Sequence, residues 1–151
     1  MIVSAKIDER ELKSLIKDLE SLNMSDSKNK TLLRQGMRKA AKPLVPQIRK
    51  EIDNYTSKTK NSRSTGQLKK SIAIINGKNV RNRPPTVFVG PRVKGAYADM
   101  KKTGFYFYFL EYGFRGKPGG RMLDKAATSQ GNTTLNSVIK EIKKLIDKRM
   151  K

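Results

Sequence analysis

Hydrophobic positions recur at helical spacing in three long segments of this chain and alternate over short stretches elsewhere. Val3, Ala5 and Ile7 alternate, which predicts a short strand. Asp8 then reads as an N-cap, with Glu11 three residues on to complete a capping box. Leu12, Leu15, Ile16, Leu19 and Leu22 follow on one helical stripe, giving an amphipathic helix to about Ser21, and polar Asn23 to Asn29 reads as a loop. A second helical pattern runs from Thr31 to Tyr55 through Leu33, Met37, Ala40, Ala41, Leu44, Ile48, Ile52 and Tyr55. Pro43 and Pro46 each remove an amide donor within it, so a kink or a break into two helices is expected there. Gly36, Ala40 and Ala41 are small enough to let a neighbouring element approach closely.

Thr56 to Ser64 is polar, basic and aperiodic, a loop that orders when something binds it. Thr65 can cap a single helical turn, after which Ile72 to Ile75 read as strand. Asn76-Gly77 is a hairpin-turn signal, because both residues tolerate positive φ. Val80 begins the return strand, Pro84-Pro85 ends it, and Thr86 to Val89 form another strand closed by Gly90-Pro91. Arg92 to Lys102 is a basic loop. Phe105 onward resumes ordered structure as a strand, and Arg115 to Gly120 is a flexible connector. Met122, Leu123, Ala126 and Ala127 suggest a short helix. Leu135, Val138, Ile139, Ile142, Leu145, Ile146 and Met150 mark a final amphipathic helix with lysines on its outer face. The element order, roughly β-α-α-β-β-β-α, predicts an α+β fold: a small antiparallel sheet packed against amphipathic helices, including a long helix in the N-terminal half and a C-terminal helix. Residues 1–151 are expected to form one domain, with mobile basic loops at 56–64 and 92–104.

Charge changes this picture most. The formal net charge is +21, and between Asn54 and Ala98 there is no acidic residue. Lys58, Lys60, Arg63, Lys69, Lys70, Lys78, Arg81, Arg83, Arg92 and Lys94 all fall in that interval. Such a block attracts polyanions through counterion release, or meets an acidic protein surface, or serves as a solvated face. No apolar run approaches the roughly 18 to 20 residues of a membrane span. The first ten residues lack the pattern of a signal peptide, so an intracellular soluble protein without membrane contact is expected.

The chain has no cysteine and no histidine. Thiolate nucleophiles, Cys- or His-ligated metals and imidazole acid–base chemistry are thereby excluded. Of the thirteen carboxylates only Glu111 stands in an apolar setting. One carboxylate without an evident partner is a poor catalytic centre; a nuclease using Glu111 is the third reading. The glycine-rich segment 116–120 lacks the Gly-Lys-Ser/Thr ending of a phosphate-binding loop. Neither a cofactor nor a metal is expected.

Seven of the ten aromatic residues sit between Phe105 and Phe114, beside the single charge of Glu111. In a strand, Phe105, Phe107 and Phe109 face one way, and Tyr106, Tyr108 and Leu110 the other. The Phe side suits a core, and the Tyr side, with its polar tips, suits an interface. A base-stacking platform is the alternative, but those platforms interleave aromatics with Gly and Lys/Arg, and this run is nearly pure.

Thr65-Gly66-Gln67-Leu68-Lys69-Lys70-Ser71-Ile72, Val87-Phe88-Val89-Gly90, Tyr108-Phe109-Leu110-Glu111-Tyr112-Gly113 and Met122-Leu123-Asp124-Lys125-Ala126 occur in a characteristic order. Together they resemble the small tail-component proteins of long-tailed double-stranded DNA bacteriophages, the tail-completion, neck or head–tail joining proteins. The resemblance covers about Leu32 to Lys151, with two departures. Phe114 stands where the family has Thr, and Gly120-Arg121-Met122 replaces a Pro-Phe pair. The resemblance implies a noncatalytic virion protein of the tail or neck, assembled in the host cytoplasm. The resemblance further implies a ring-forming subunit with connector and tail-tube proteins as its neighbours. It also implies that Thr65 and Gly66 set a cap and turn with Leu68 behind them, and that Gly113 and Glu111 fix the geometry after the aromatic strand, Glu111 by pairing with a basic residue. Tyr106, Tyr108, Tyr112 and Phe114 are the expected subunit contacts. Lys58, Lys60, Arg63, Lys69, Lys70, Arg81, Arg83, Arg92 and Lys94 would face an acidic partner or phage DNA. A basic nucleic-acid-binding module is the alternative function.

Overall fold

A computed structural model of the chain describes residues 9–21, 26–58, 66–81, 83–92 and 105–150. The expected strand at 3–7, Asp8, Thr65, Lys60, Arg63, Lys94 and most of both basic loops lie outside the described residues. The fold is α+β. Its elements are α1 (Glu9–Glu20), α2 (Ser27–Ala41), α3 (Leu44–Lys58), α4 (Gln67–Ser71), β1 (Ile72–Asn76), β2 (Val87–Pro91), α5 (Phe105–Tyr112), β3 (Gly113–Phe114), β4 (Lys117–Pro118) and α6 (Met122–Met150).

The long helical pattern divides at its prolines, as expected. Helix α2 begins earlier than the apolar stripe suggests, because the Asp26 carboxylate accepts the Lys28 N–H at 2.8 Å and caps it. It ends at Ala41, and the chain turns through Lys42 and Pro43. Pro46 falls in the first turn of α3, where its missing amide has no intrahelical acceptor to lose. Gly36 lies against α6: a Cβ there would stand 3.2 Å from Ile142 Cγ1. The small residues thus set a close helix crossing.

The segments expected as two helices near the C-terminus are one helix, α6, of 29 residues, about 43 Å long at 1.5 Å per residue. Three hydroxyls along its polar middle are satisfied by the helix's own backbone. Thr128, Ser129 and Ser137 donate to the carbonyls of Asp124, Ala126 and Thr133 at 2.8, 3.1 and 2.8 Å. Helix α6 is the spine shared by two cores. Near its start, Met122 and Ala126 pack with Ile48 and Ile52 of α3, Ile72 of β1 and Phe107 of α5. Toward its end, Ile139, Ile142 and Ile146 pack with Leu15 of α1 and Leu33 of α2.

β1 and β2 pair antiparallel, with Ile72 opposite Pro91 and Asn76 opposite Val87. The expected two-residue turn at Asn76-Gly77 and the return strand at Val80 are not formed. The Gly77 N–H instead donates to the Thr86 carbonyl at 2.9 Å, closing a ten-residue loop, 77–86. Helix α2 holds that loop off the strand: Lys30 Nζ donates to the Val80 carbonyl at 2.6 Å, and Arg34 Nη2 donates to Asn79 Oδ1. Two further arginines tie β1 to the helices. Arg38 Nη1 donates to Asn76 Oδ1 at 2.9 Å, and Arg49 donates to the carbonyls of Lys69 and Ile72 at 3.0 and 3.1 Å.

The aromatic run is not a strand. It forms α5, and only Gly113 and Phe114 at its end are extended. The arrangement of neighbours gives the reason. Phe107, Leu110 and Glu111 all turn inward, at i, i+3 and i+4, which is one face of a helix. A strand would have placed Leu110 on the side opposite the other two.

Candidate functional site

The first turn of α6 presents backbone N–H groups with no partner inside the helix. Arg121, just before it, has no acceptor on its side chain and cannot cap them. Glu111 does so from α5. Its carboxylate is 2% exposed. Oε2 accepts the Met122 N–H at 2.7 Å, and Oε1 and Oε2 accept the Leu123 N–H at 3.1 and 3.2 Å. The positive end of the helix dipole favours a carboxylate at this place. The expectation that Glu111 pairs with a basic residue is therefore corrected. The buried helix end supplies two directed donors, and no basic side chain is needed to satisfy the charge.

Backbone bonds lock the same corner. The Leu110 carbonyl accepts the Gly120 N–H at 2.7 Å, and the Glu111 carbonyl accepts the Arg121 N–H at 3.2 Å. Between them the expected flexible connector is a tight hairpin, β3 to β4, with Phe114 opposite Lys117. Its two turn residues, Arg115 and Gly116, both have positive φ, of 49° and 75°, as a type I′ turn requires. Gly113 closes α5 with φ of 94°, and a Cβ there would stand 2.3 Å from the Lys117 carbonyl oxygen. At Gly119 a Cβ would stand 2.1 Å from the Glu111 oxygen. No other residue fits either position without moving backbone. The role expected of Gly113 in fixing this geometry thus has a physical basis.

This rigid corner carries an aromatic surface. Tyr106, Tyr108, Tyr112 and Phe114 are 54, 64, 68 and 52% exposed. Tyr108 and Tyr112 lie 4.9 Å apart between ring centroids, and Phe114 lies 4.7 Å from the half-buried Phe109. The Arg115 guanidinium sits 5.2 Å from the Phe114 ring centroid, a cation–π contact. Phe107 is buried in the core beneath. The strand-based division of faces does not carry over: Phe107 is buried and Tyr106, Tyr108 and Tyr112 are exposed, but Leu110, expected on the Tyr side, turns inward with Phe107, and Phe109 is only half-buried.

The remaining expected site residues are dispersed. Gly66 precedes α4 with φ of 69°, and Leu68 packs on the core around Ile72. Lys69 is ion-paired with Asp53 at 2.5 Å, which reduces its value as a contact for a polyanion. Lys70, Arg81, Arg83 and Arg92 are exposed. Lys58 closes α3, but its side chain is outside the described residues, as are Lys60, Arg63 and Lys94. Among the described residues, no group of three or more acidic side chains is placed to hold a metal ion. No helix among them is long and apolar enough to cross a membrane.

Two features lay outside the sequence reading. One is the trans cap by Glu111, which only tertiary proximity reveals. The other is an apolar groove of about 360 Å³ where α3, β2 and α6 meet, lined by Leu44, Val87, Val89, Leu123, Ala127 and Leu135 among others. The buried Thr134 hydroxyl borders it and has no hydrogen-bond partner among the described residues.

Among curated proteins and among solved structures, nothing matches the chain. A family model described as "Bacteriophage HK97-gp10, putative tail-component" matches residues 13–113, two thirds of the chain. The matched segment runs from α1 to the end of α5 and so includes the sheet, the aromatic helix and Glu111. The chain belongs to the HK97-gp10-like family of bacteriophage tail components.

Proposed function

We propose that this protein is a structural subunit of the virion that joins or completes the tail at its head-proximal end, as one copy in a ring. The observation that carries this reading is the aromatic face: four rings more than half exposed on a chain of net charge +21. Solvated surfaces of soluble chains rarely gather such side chains, whereas interface cores are enriched in Tyr and Phe and depleted of Lys and Glu. A ring is built from head-to-tail contacts, which require two different surfaces on each subunit. The aromatic face and the groove beside Leu123 and Leu135 are two apolar surfaces of the required kind. The neighbours in this reading are connector and tail-tube proteins, the location is the tail or neck, and assembly takes place in the host cytoplasm. The role is noncatalytic and needs no cofactor. Arg81, Arg83, Arg92 and Lys70 face an acidic neighbour or DNA.

Deleting the gene from the phage that encodes it tests this directly. Filled heads and finished tails accumulating apart in electron micrographs is the expected outcome. Normal joined particles without the protein would contradict the reading.

A further inference from the structure

Helix α6 carries Lys140, Lys143, Lys144 and Lys148 at spacings that place them on one face, and the opposite face buries Ile139, Ile142 and Ile146. With Asp147 the four lysines border an open hollow on the helix surface. None of the four is ion-paired among the described residues; Glu141, near them, is bound to Lys39 of α2 at 2.7 Å. The four lysines and Asp147 leave a net charge of +3 along the stripe, and Lys140, Lys143 and Lys144 stand at spacings where like charges repel, so a polyanion meeting the face relieves the repulsion that Asp147 leaves. The helix dipole accounts for Lys148 alone, because its effect fades beyond the last turn. Lys140, Lys143 and Lys144 stand before that turn.

We propose that the face of α6 formed by Lys140, Lys143, Lys144 and Lys148 is a sequence-independent binding surface for the phosphate backbone of double-stranded DNA. A protein partner fits this face poorly. Interface cores are depleted of lysine and built around apolar or aromatic anchors, and none of the exposed large hydrophobic side chains belongs to this stripe. Single-stranded nucleic acid is held on aromatic stacking platforms, and the stripe has none. Duplex geometry suits it. Lys140 and Lys148 are about 12 Å apart along the helix, close to the width of about 12 Å of the DNA major groove, so ammonium groups at the two ends reach phosphates on both of its borders. Lysine is a mobile point charge without a fixed fork, which suits contact that does not read sequence. DNA binding by this face does not depend on ring formation.

The test is fluorescence anisotropy of a random-sequence 30-base-pair duplex with the full chain, titrated across sodium chloride concentrations. Two variants of equal net charge are compared: Lys140→Gln/Lys143→Gln/Lys144→Gln/Lys148→Gln, and the control Lys13→Gln/Lys28→Gln/Lys42→Gln/Lys50→Gln, four exposed lysines outside the stripe. Circular dichroism confirms that both are folded. The α6 variant is expected to lose about three to four units of the log–log salt slope, at about 0.9 per phosphate released, and the control less than about one. Equal losses in the two variants would assign binding to overall charge and overturn the proposal. So would single-stranded DNA bound as tightly as duplex, or polyglutamate captured through the stripe more tightly than DNA.

Discussion

The two ends of α6 are exposed to opposite surroundings although one continuous helix joins them. At the N-terminal end a buried carboxylate takes the free amides, a two-residue turn folds the chain back, and two glycines admit backbone where no Cβ fits. Toward the C-terminal end the contacts are ordinary aliphatic packing against α1 and α2, and the outer face is a row of lysines. The first end is built from directed bonds and presents aromatic rings; the second is built from interchangeable side chains and presents charge. A surface that must hold a fixed shape against a protein neighbour needs the first kind of support. One that meets a uniform polyanion needs only the charge.

Substitutions that admit a Cβ at the rigid end should have the largest effect. Gly113→Ala adds strain from positive φ to a clash with the Lys117 carbonyl, and should cost on the order of 3 kcal/mol. In thermal unfolding that is a fall in Tm of about 10 °C for a chain of this size. Glu111→Ala follows, leaving two amides of α6 without an acceptor, at a cost of about 2 kcal/mol in urea denaturation. Glu111→Gln retains one acceptor oxygen and should lose about half of that. If Gln proves as damaging as Ala, the negative charge matters more than the cap.

Tyr108→Ser combined with Tyr112→Ser removes exposed rings and should leave stability within about 1 kcal/mol of the parent. Its effect should fall on association instead, which separates the aromatic face from the corner that supports it. The smallest effect lies at the lysine end, in the pair Lys39–Glu141. The bond from Lys39, with the charges of Lys39 and Lys144, holds the Glu141 carboxyl below its ordinary range despite some desolvation. A lowered folded-state pKa contributes stability above the unfolded pKa and loses it as pH falls through the folded one. The parent should therefore be slightly more stable than Glu141→Gln near neutrality, and the two should converge in urea titrations on the acid side of the ordinary carboxylate range. Lying at the surface, with Lys39 exposed and Glu141 partly so, the pair should show this difference most clearly at low salt.

What the sequence made legible was governed by local rules. Prolines mark the boundary between α2 and α3 wherever the partners lie, and the stripe Leu33, Met37, Ala40 has one helical reading. The aromatic run was not legible as a helix, because with nearly every position apolar no periodicity remains to choose between periods, and aromatic residues favour strands. The arc Phe107, Leu110, Glu111 held the answer, but only once Glu111 is known to turn inward. The break expected within α6 followed from the apolar stripe, which lapses between Ala127 and Leu135; that interval is polar yet helical, and the packing of both ends of the helix carries it through. The loop 77–86 depends on Lys30 and Arg34 from a distant helix, which no local turn rule contains. At the candidate site the identity of Glu111 and Gly113 was visible in the motif. The partner of Glu111 was not, because backbone amides leave no mark in a sequence.

The central claim is that the aromatic face at the rigid end is the assembly surface. Electron microscopy of particles from the encoding phage carrying Tyr108→Ser and Tyr112→Ser, with the purified variant confirmed as folded, tests it most directly. The account predicts filled heads and complete tails that fail to join. Joined virions that contain the variant protein in normal amount would contradict it.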